Sequence, residues 1–397
     1  MQLAQRLTTL GGETAFAVSL AAAAWAAKGH KVYPFHLGDI NIPTSANICE
    51  AAHKAMCDGK TGYVPAAGIM PLREALAHAV GTRRSVTYSA DNVSVQTGGK
   101  PVIGKFLQVV MNPGDEVLYP SPGYPIYESQ IDYLGGVAKP YRYIETPSGF
   151  VLDRDFLAAQ ITPKTRALFF NNCQNPLAAE SDRAEVEWLA DLAQRHNLWV
   201  LSDDAYAEMR YSGDTEFIVN VPGMAERTIT LYTFSKKYAM TGWRLGAAIG
   251  PKHVVDAISQ INGNDESCTA NFVQWAGVEA LSGDQSHVLT LLSALQARRD
   301  AAVDVLNSIH GVQVSRPAST FYLFPNVTAA MHKLGYTDVN EFATAALHHT
   351  NVSFCTRQHF GRAQVGEAQQ YVRFAYSGIG VQDICEGLAK LKAWIEQ

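Results

Sequence analysis

Between about residues 90 and 250, short apolar runs alternate with longer helical stretches, a pattern that few folds accommodate. Strands that alternate with helices are joined by right-handed crossovers, which build a largely parallel sheet covered by helices on both faces. The pattern therefore predicts an α/β domain. Its strands are expected at NVSVQ (92–96), EVLY (116–119), ALFF (167–170), LWVL (198–201) and TITLYTF (228–234). Helices are expected at 100–111 and 181–196, the second with Ser181 as its N-cap.

The pattern changes in the last third of the chain. Long helical patterns at 269–281 and 288–310 are followed by short strands near 320–323 and 371–376, and by a helix from Gln382. A chain of 397 residues predicts two or three domains at ~100–200 residues each. We expect a large domain over 46–285 and a smaller α+β domain over 286–397, with the segment 1–45 joining the smaller one.

Composition excludes several classes of function. The charges sum to 32 − 37 = −5, so no basic excess predicts a nucleic-acid or membrane partner. The six cysteines form no CxxC pair, which favours reduced thiols in a cytoplasmic protein over a disulfide framework or a metal site.

The alanine-rich segment 15–27 is too short to span a bilayer. Acidic Glu13 stands where a signal peptide needs basic residues, so we expect a buried or interfacial helix.

Polar residues follow each predicted strand. Open α/β sheets bind ligands outside the carboxyl ends of their strands, so these residues are expected to face one crevice. They are Thr97-Gly98-Gly99-Lys100, Tyr124 within PSPGYP, the cluster Asn171 to Pro176, Asp203 and Tyr206, and Ser235-Lys236-Lys237 with Arg244.

This set of groups suits one kind of ligand. Glycines at the start of a helix allow backbone N–H groups to approach a phosphate, which the helix dipole also favours. A flat ring, a carboxylate, a phenol and a lysine suit a phosphorylated aromatic aldehyde. Pyridoxal 5'-phosphate fits, with a lysine Schiff base and an Asp on the pyridinium nitrogen. Taken singly, Asp203 is equally explained as a helix cap, Lys236 as a surface lysine and Arg244 as a salt-bridge partner.

The stretch TFSKKYAMTGWRLG at 233–246 resembles the attachment-site motif of the class I/II aminotransferases, which are fold-type I pyridoxal-phosphate enzymes of the aspartate aminotransferase type. Three other stretches are similar to that family: GDINIP at 38–43, YVPAAGIMPLREA at 63–75 and YVRFA at 371–375. The resemblance covers the chain from about residue 10 to its end. It implies a large domain with a mostly parallel sheet flanked by helices and a smaller α+β domain.

The resemblance also implies roles for individual residues. Lys236 would form the internal aldimine, with adjacent Lys237 as the rival. Asp203 would bind the pyridine nitrogen, and Tyr206 and Asn175 the ring hydroxyl oxygen. Tyr124 would stack on the ring, and the phosphate would be bound by Gly99, Lys100, Thr233, Ser235 and Arg244. Arg373 would bind the substrate α-carboxylate, with Asn175 and Gly38. Tyr63 would reach the phosphate of the neighbouring subunit, which implies a homodimer with shared active sites.

The implied reaction is a ping-pong transfer of an amino group between an α-amino acid and a 2-oxo acid, with Lys236 moving the proton at Cα. Fold does not determine the reaction, so β-elimination, decarboxylation and oxidative deamination remain alternatives, as does a non-enzymatic relative. The asparagine loop departs from the family pattern at Asn172-Cys173-Gln174-Asn175-Pro176-Leu177-Ala178, as do Asp204, Ser319-Thr320 and Thr356-Arg357.

Two hints about the substrate side chain conflict. Lys100 occupies a position that faces a distal carboxylate in some bacterial relatives, which favours acidic substrates. Asp265 and Glu266 lie in a segment that often reaches the neighbouring subunit's pocket, which favours cationic or hydroxyl-bearing substrates. A solvated loop is the alternative interpretation of these two carboxylates.

Overall fold

The structure, a computed structural model, describes residues 2–364 and 366–397. Its α-helices are α1 Ala15–Ala26, α2 Ala46–Cys57, α3 Met70–Arg84, α4 Lys100–Val110, α5 Ile126–Tyr133, α6 Arg154–Ala159, α7 Arg183–Arg195, α8 Lys252–Asp265, α9 Asn271–Ser282, α10 Ser286–Asn307, α11 Thr328–Lys333, α12 Val339–Thr350 and α13 Val381–Ile395. Its strands are β1 Tyr33–Pro34, β2 Val93–Gln96, β3 Glu116–Pro120, β4 Val137–Tyr141, β5 Tyr143–Thr146, β6 Gly149–Leu152, β7 Thr165–Phe170, β8 Trp199–Asp203, β9 Thr228–Thr233, β10 Gly246–Ile249, β11 Tyr322–Leu323, β12 Val352–Ser353, β13 Cys355–Thr356 and β14 Val372–Ala375.

Seven strands form the large sheet, in the order β2-β10-β9-β8-β7-β3-β4. Neighbouring pairs among β4, β3, β7, β8 and β9 are parallel, whereas β10 is antiparallel to both of its neighbours. The central strands are buried along nearly their whole length because helices cover both faces. The predicted α/β sheet is therefore confirmed, and the carboxyl ends of β7, β8 and β9 lie side by side.

Two local predictions differ from the structure. Helix α7 begins at Arg183, and Asp182 is its N-cap, accepting a hydrogen bond from the Glu185 N–H at 2.8 Å. Ser181 as the cap was therefore wrong, because the aspartate one residue later has the extended backbone that presents its carboxylate to the first turn. Strand β10 was not predicted at all, since glycine and alanine are weak strand formers.

A second, three-stranded sheet has the order β11-β14-β13 and lies in the C-terminal third. It shares an apolar core with helices α10, α12 and α13. The short strand β1 pairs in parallel with β12, which attaches the N-terminal segment to this part of the fold. The exact domain bounds stay a prediction.

Helix α1 is formed as expected, but of its residues only Ala22 is buried within the chain. Phe16 and Leu20 are exposed, so the helix presents an apolar surface outward. Burial within the chain, the first of the two expectations for this segment, is therefore not observed. An interfacial position stays a prediction. None of the helices in the described ranges combines the length and the apolar character that a bilayer crossing requires.

Candidate active site

A cavity of about 600 Å³ lies between the carboxyl ends of the large-sheet strands and the three-stranded sheet. Residues that follow five separate strands of the large sheet (β2, β3, β7, β8 and β9) reach it, because an open α/β sheet binds ligands outside the carboxyl ends of its strands. The predicted site residues that line it are Gly38, Gly99, Lys100, Tyr124, Asn175, Asp203, Tyr206, Thr233, Ser235, Lys236, Arg244 and Arg373.

One end of the cavity is a cradle for an anion. Gly98 and Gly99 precede helix α4, and Gly98 has a φ of +99° that side-chain-bearing residues rarely adopt. A Cβ on Gly98 would lie 2.4 Å from Arg244 Nη2, so a larger residue here would displace the arginine tip in addition to straining the backbone. The Thr233 hydroxyl donates to Ser235 Oγ at 2.9 Å beside the same loop. Two hydroxyls, a guanidinium and a helix N-terminus suit a phosphate.

A carboxylate forms the floor of the cavity. Asp203, the last residue of β8, accepts hydrogen bonds at Oδ2 from the Tyr127 hydroxyl (2.6 Å) and at Oδ1 from the Ala205 N–H (3.1 Å). Burial raises the pKa of Asp203 to about 6, although these hydrogen bonds oppose the shift. A cationic nitrogen placed against this carboxylate would supply the missing charge partner.

Lys236 faces the cavity, and its neighbour Lys237 does not. The Lys236 ammonium donates to the Gly38 carbonyl at 2.9 Å, and burial lowers its pKa to about 8. Lys237 instead pairs with Glu208 at 2.6 Å outside the cavity. The structure thus places the amine with the lowered pKa at the cavity and pairs the other lysine elsewhere, which suits Lys236 for a reaction that requires a neutral amine.

Arg373 lies on the wall opposite the sheet. Its Nη2 donates to the His36 carbonyl at 2.8 Å and its Nη1 to Asn175 Oδ1 at 3.1 Å. Its guanidinium lies between the rings of Tyr322 and Phe360, at 4.5 and 4.6 Å from their centroids. Among the residues that the structure describes, none accepts a hydrogen bond from its buried Nε–H. Arg373 lines the cavity, and a guanidinium fixed in place by these contacts is suited to binding a carboxylate.

Two tyrosines and an unexpected carboxylate complete the wall. The hydroxyls of Tyr206 and Tyr322 are 2.7 Å apart. Tyr124 donates its hydroxyl to Glu13 Oε1 at 2.5 Å, and the Lys100 ammonium contacts the same oxygen at 2.5 Å. Glu13 comes from the N-terminal segment, so the cavity is lined by this segment in addition to residues of the two sheets.

Three predicted residues lie elsewhere. Tyr63 is 90% exposed and outside the cavity of its own chain. Asp265 is exposed at the end of α8, and Glu266 accepts from Lys105 at 2.8 Å and from Thr97 at 2.9 Å. The Glu266 carboxylate is therefore already paired with a cation of its own chain.

Sequence reasoning missed several lining residues, and four of them carry polar side chains that matter for the site. Tyr127 follows Tyr124 by one helical turn, a spacing that could have indicated a shared face. Tyr322 lies in the short strand expected near 320–323, to which no site role was assigned, and Glu13 entered only as an argument against a signal peptide. His359, whose Nδ1 lies 3.0 Å from the Thr14 hydroxyl, carried no sequence signal.

A cavity with an anion cradle, a floor carboxylate, a lysine and a held arginine can take a phosphorylated ring and a carboxylate together. The fold and these groups define a fold-type I transferase that acts on amino groups. The chain belongs to the aminotransferase class I and II family, whose model matches residues 32–383. It is an aminotransferase that transfers an amino group between an α-amino acid and a 2-oxo acid.

Relatives and solved structures agree with this assignment. The chain is 33% identical over 402 residues to an aspartate/prephenate aminotransferase of Cereibacter sphaeroides, covering 98% of this chain and 99% of the relative. It is 31% identical to an asparagine–oxo-acid transaminase of Streptococcus mutans, with both chains covered completely. The structure of Thermus thermophilus aspartate aminotransferase with maleate superposes with a TM-score of 0.91 at 28% identity, covering 99% of each chain.

Proposed function

We propose that the chain uses pyridoxal 5'-phosphate bound in this cavity. The observation that carries the proposal is that Lys236, Asp203 and Arg373, from three separate parts of the chain, converge on one cavity beside a glycine cradle. The phosphate would lie at the cradle of Gly99, Thr233, Ser235 and Arg244, with the ring against Tyr124 and its nitrogen at Asp203.

The chain's own residues have separate tasks in the transfer. Arg373, with Asn175 and the Gly38 backbone, binds the α-carboxylate and orients Cα toward Lys236. Lys236 is released as a neutral amine at a pH lower than for an ordinary lysine, because burial disfavours its charge. As a neutral amine, Lys236 would take the proton from the substrate Cα and return it to the aldehyde carbon of the cofactor. The cofactor, when bound, would accept the electron pair that the broken C–H bond leaves at Cα.

We propose an acidic amino acid as one substrate, with Lys100 as the cation for its distal carboxylate. Two of the relatives are named for aspartate as substrate. Glu266 is already paired with Lys105 within its own chain, which makes it less available for a cationic substrate and supports the acidic-substrate interpretation.

A single-turnover measurement tests the reaction. Loaded protein mixed with aspartate and no acceptor is expected to release one equivalent of 2-oxo acid per site and then stop, with no ammonia or CO₂. Adding 2-oxoglutarate then restarts turnover and yields glutamate. Continued release of ammonia, pyruvate or CO₂ without an acceptor would instead identify a deaminase, β-lyase or decarboxylase.

We also propose a cytoplasmic homodimer in which Tyr63 reaches the cofactor phosphate of the partner subunit. The exposure of Tyr63, the outward apolar residues of α1 and six free cysteines support this proposal. Mixed dimers of the Lys236→Ala and Tyr63→Ala variants test it, because one of their two sites would be intact. Recovery of activity on mixing is expected, and no recovery in verified mixed dimers would show that the sites are not shared.

A further inference from the structure

The N-terminal strap, residues 11–16, runs along the cavity and makes contacts on both sides of it. Ser129 donates to the Gly11 carbonyl at 3.1 Å on the large-sheet side. On the other side, the Thr14 hydroxyl lies 3.0 Å from His359 Nδ1. Glu13, which lies between these anchors, and Ala15 and Phe16, which follow them, line the cavity. The strap is therefore part of the site wall.

Glu13 is the charged residue of this strap, and it points into the site. A single carboxylate oxygen, Oε1, contacts the Lys100 ammonium and the Tyr124 hydroxyl, each at 2.5 Å. The Glu13 side chain is 23% exposed and that of Lys100 48% exposed. Burial opposes ionisation of Glu13, but the hydrogen bonds from Lys100 and Tyr124 outweigh it and lower its pKa. Glu13 is therefore an anion at neutral pH.

Lys100 has a particular need for an anion. It is the first residue of helix α4, where the dipole already places positive charge. An added ammonium at this end is unfavourable unless a carboxylate or phosphate accompanies it. The strap supplies that carboxylate from 87 positions away in the sequence.

We propose that Glu13 is a specificity-determining residue that occupies Lys100 in the free enzyme, so that a substrate with a distal carboxylate binds only by displacing Glu13 from Lys100. This inference rests on the proposed function, since it takes the substrate α-carboxylate to lie at Arg373. The intramolecular carboxylate competes with dicarboxylic ligands and leaves monocarboxylic ligands unaffected.

Binding of two unreactive acids to the loaded protein tests this inference. Maleate and isocrotonate share one carboxylate for Arg373, and only maleate has a second one. Isothermal titration calorimetry would compare the native protein with the Glu13→Gln variant. Glutamine keeps the length of the side chain and an oxygen for Tyr124 but removes the charge. We expect maleate to bind about tenfold more tightly to the variant, equivalent to about 1.4 kcal/mol, and isocrotonate to bind within about twofold of native.

Repeating the comparison in a Lys100→Met variant distinguishes two explanations. Glu13 can act by pairing with Lys100, or its negative charge can repel any anion that enters the cavity. If Glu13 acts by occupying Lys100, adding Glu13→Gln to Lys100→Met is expected to leave maleate affinity unchanged. A tenfold gain that persists without Lys100 would mean that Glu13 merely repels anions, which would overturn the inference. An unchanged maleate affinity in Glu13→Gln alone, or an equal gain for both acids, would also overturn it.

The chain offers a matched control at Glu386. That carboxylate likewise accepts from a lysine and a tyrosine, Lys31 and Tyr33, but it lies outside the cavity. Glu386→Gln is expected to change the affinity for neither acid. Because both acids are unreactive, failure of this inference leaves the single-turnover test of amino-group transfer untouched. If instead the single-turnover test failed, the affinities for maleate and isocrotonate could still be compared between the native protein and the Glu13→Gln variant.

Discussion

Replacing Arg84 with methionine should destabilise the protein by about 4 kcal/mol. Arg84 is the last residue of helix α3, and its side chain is 0% exposed. Its Nε donates to Asp204 Oδ2 at 2.7 Å, and the Asp204 side chain is 3% exposed. Its Nη1 lies 3.6 Å from Glu208, and its guanidinium lies 4.4 Å from the centre of the Phe217 ring. Asp204 directly follows Asp203, which lines the cavity.

The magnitude follows from counting the buried charges. Glu208 is also paired with Lys237 at 2.6 Å and is expected to keep that partner in the variant, so one carboxylate, that of Asp204, loses its cation. Removing one partner of a buried pair costs about 3–5 kcal/mol because the remaining charge stays desolvated. Methionine retains an apolar stem against Phe217, so the loss of packing adds little.

Urea unfolding of the cofactor-free protein, followed by tryptophan fluorescence, measures this difference. The control is Arg83→Met, since Arg83 and its partner Asp214 are exposed and their pair is worth less than about 1 kcal/mol. The double variant Arg84→Met/Asp204→Asn removes both charges and should recover most of the loss. A cost below about 1 kcal/mol for Arg84→Met, or no recovery in the double variant, would refute the reasoning.

Three further predictions concern the cavity. Burial raises the pKa of Asp203 from 3.8 to about 6, so the cofactor-free fold loses stability as pH rises from about 4 to 6. Asp203→Asn should flatten that profile in urea unfolding and raise the unfolding free energy at pH 7 by about 2–3 kcal/mol; an unaltered profile would contradict this. Because burial lowers the pKa of Lys236 to about 8, covalent uptake of pyridoxal phosphate should accelerate with pH around a midpoint near 8, and a midpoint above about 10 would count against it. Arg373→Lys should lower kcat/KM for amino acids by about 10–150-fold, mainly through KM; an equal loss for an amine without a carboxylate would be inconsistent with a role in carboxylate binding.

The groups that follow the strands could be predicted from the sequence because their placement depends on local order. Asp203 ends β8, and the residues after β9 include Lys236. Parallel neighbours bring these ends to one edge of the sheet whatever the details of packing. Strand β10 escaped prediction since its residues have little intrinsic strand preference, and its pairing with β2 and β9 depends on the rest of the sheet.

The pairing of distant groups was decided only by the tertiary structure. Asn175 and Arg373 are 198 positions apart, Glu13 and Lys100 87, and Arg84 and Asp204 120. No local pattern distinguishes Glu266, which is paired with Lys105, from a free specificity group. The sequence by itself determined the class of chemistry, because strand order and strand-end residues are encoded locally. The charge state and the availability of each group depend on which charges and which low-dielectric surroundings the packed chain places around it.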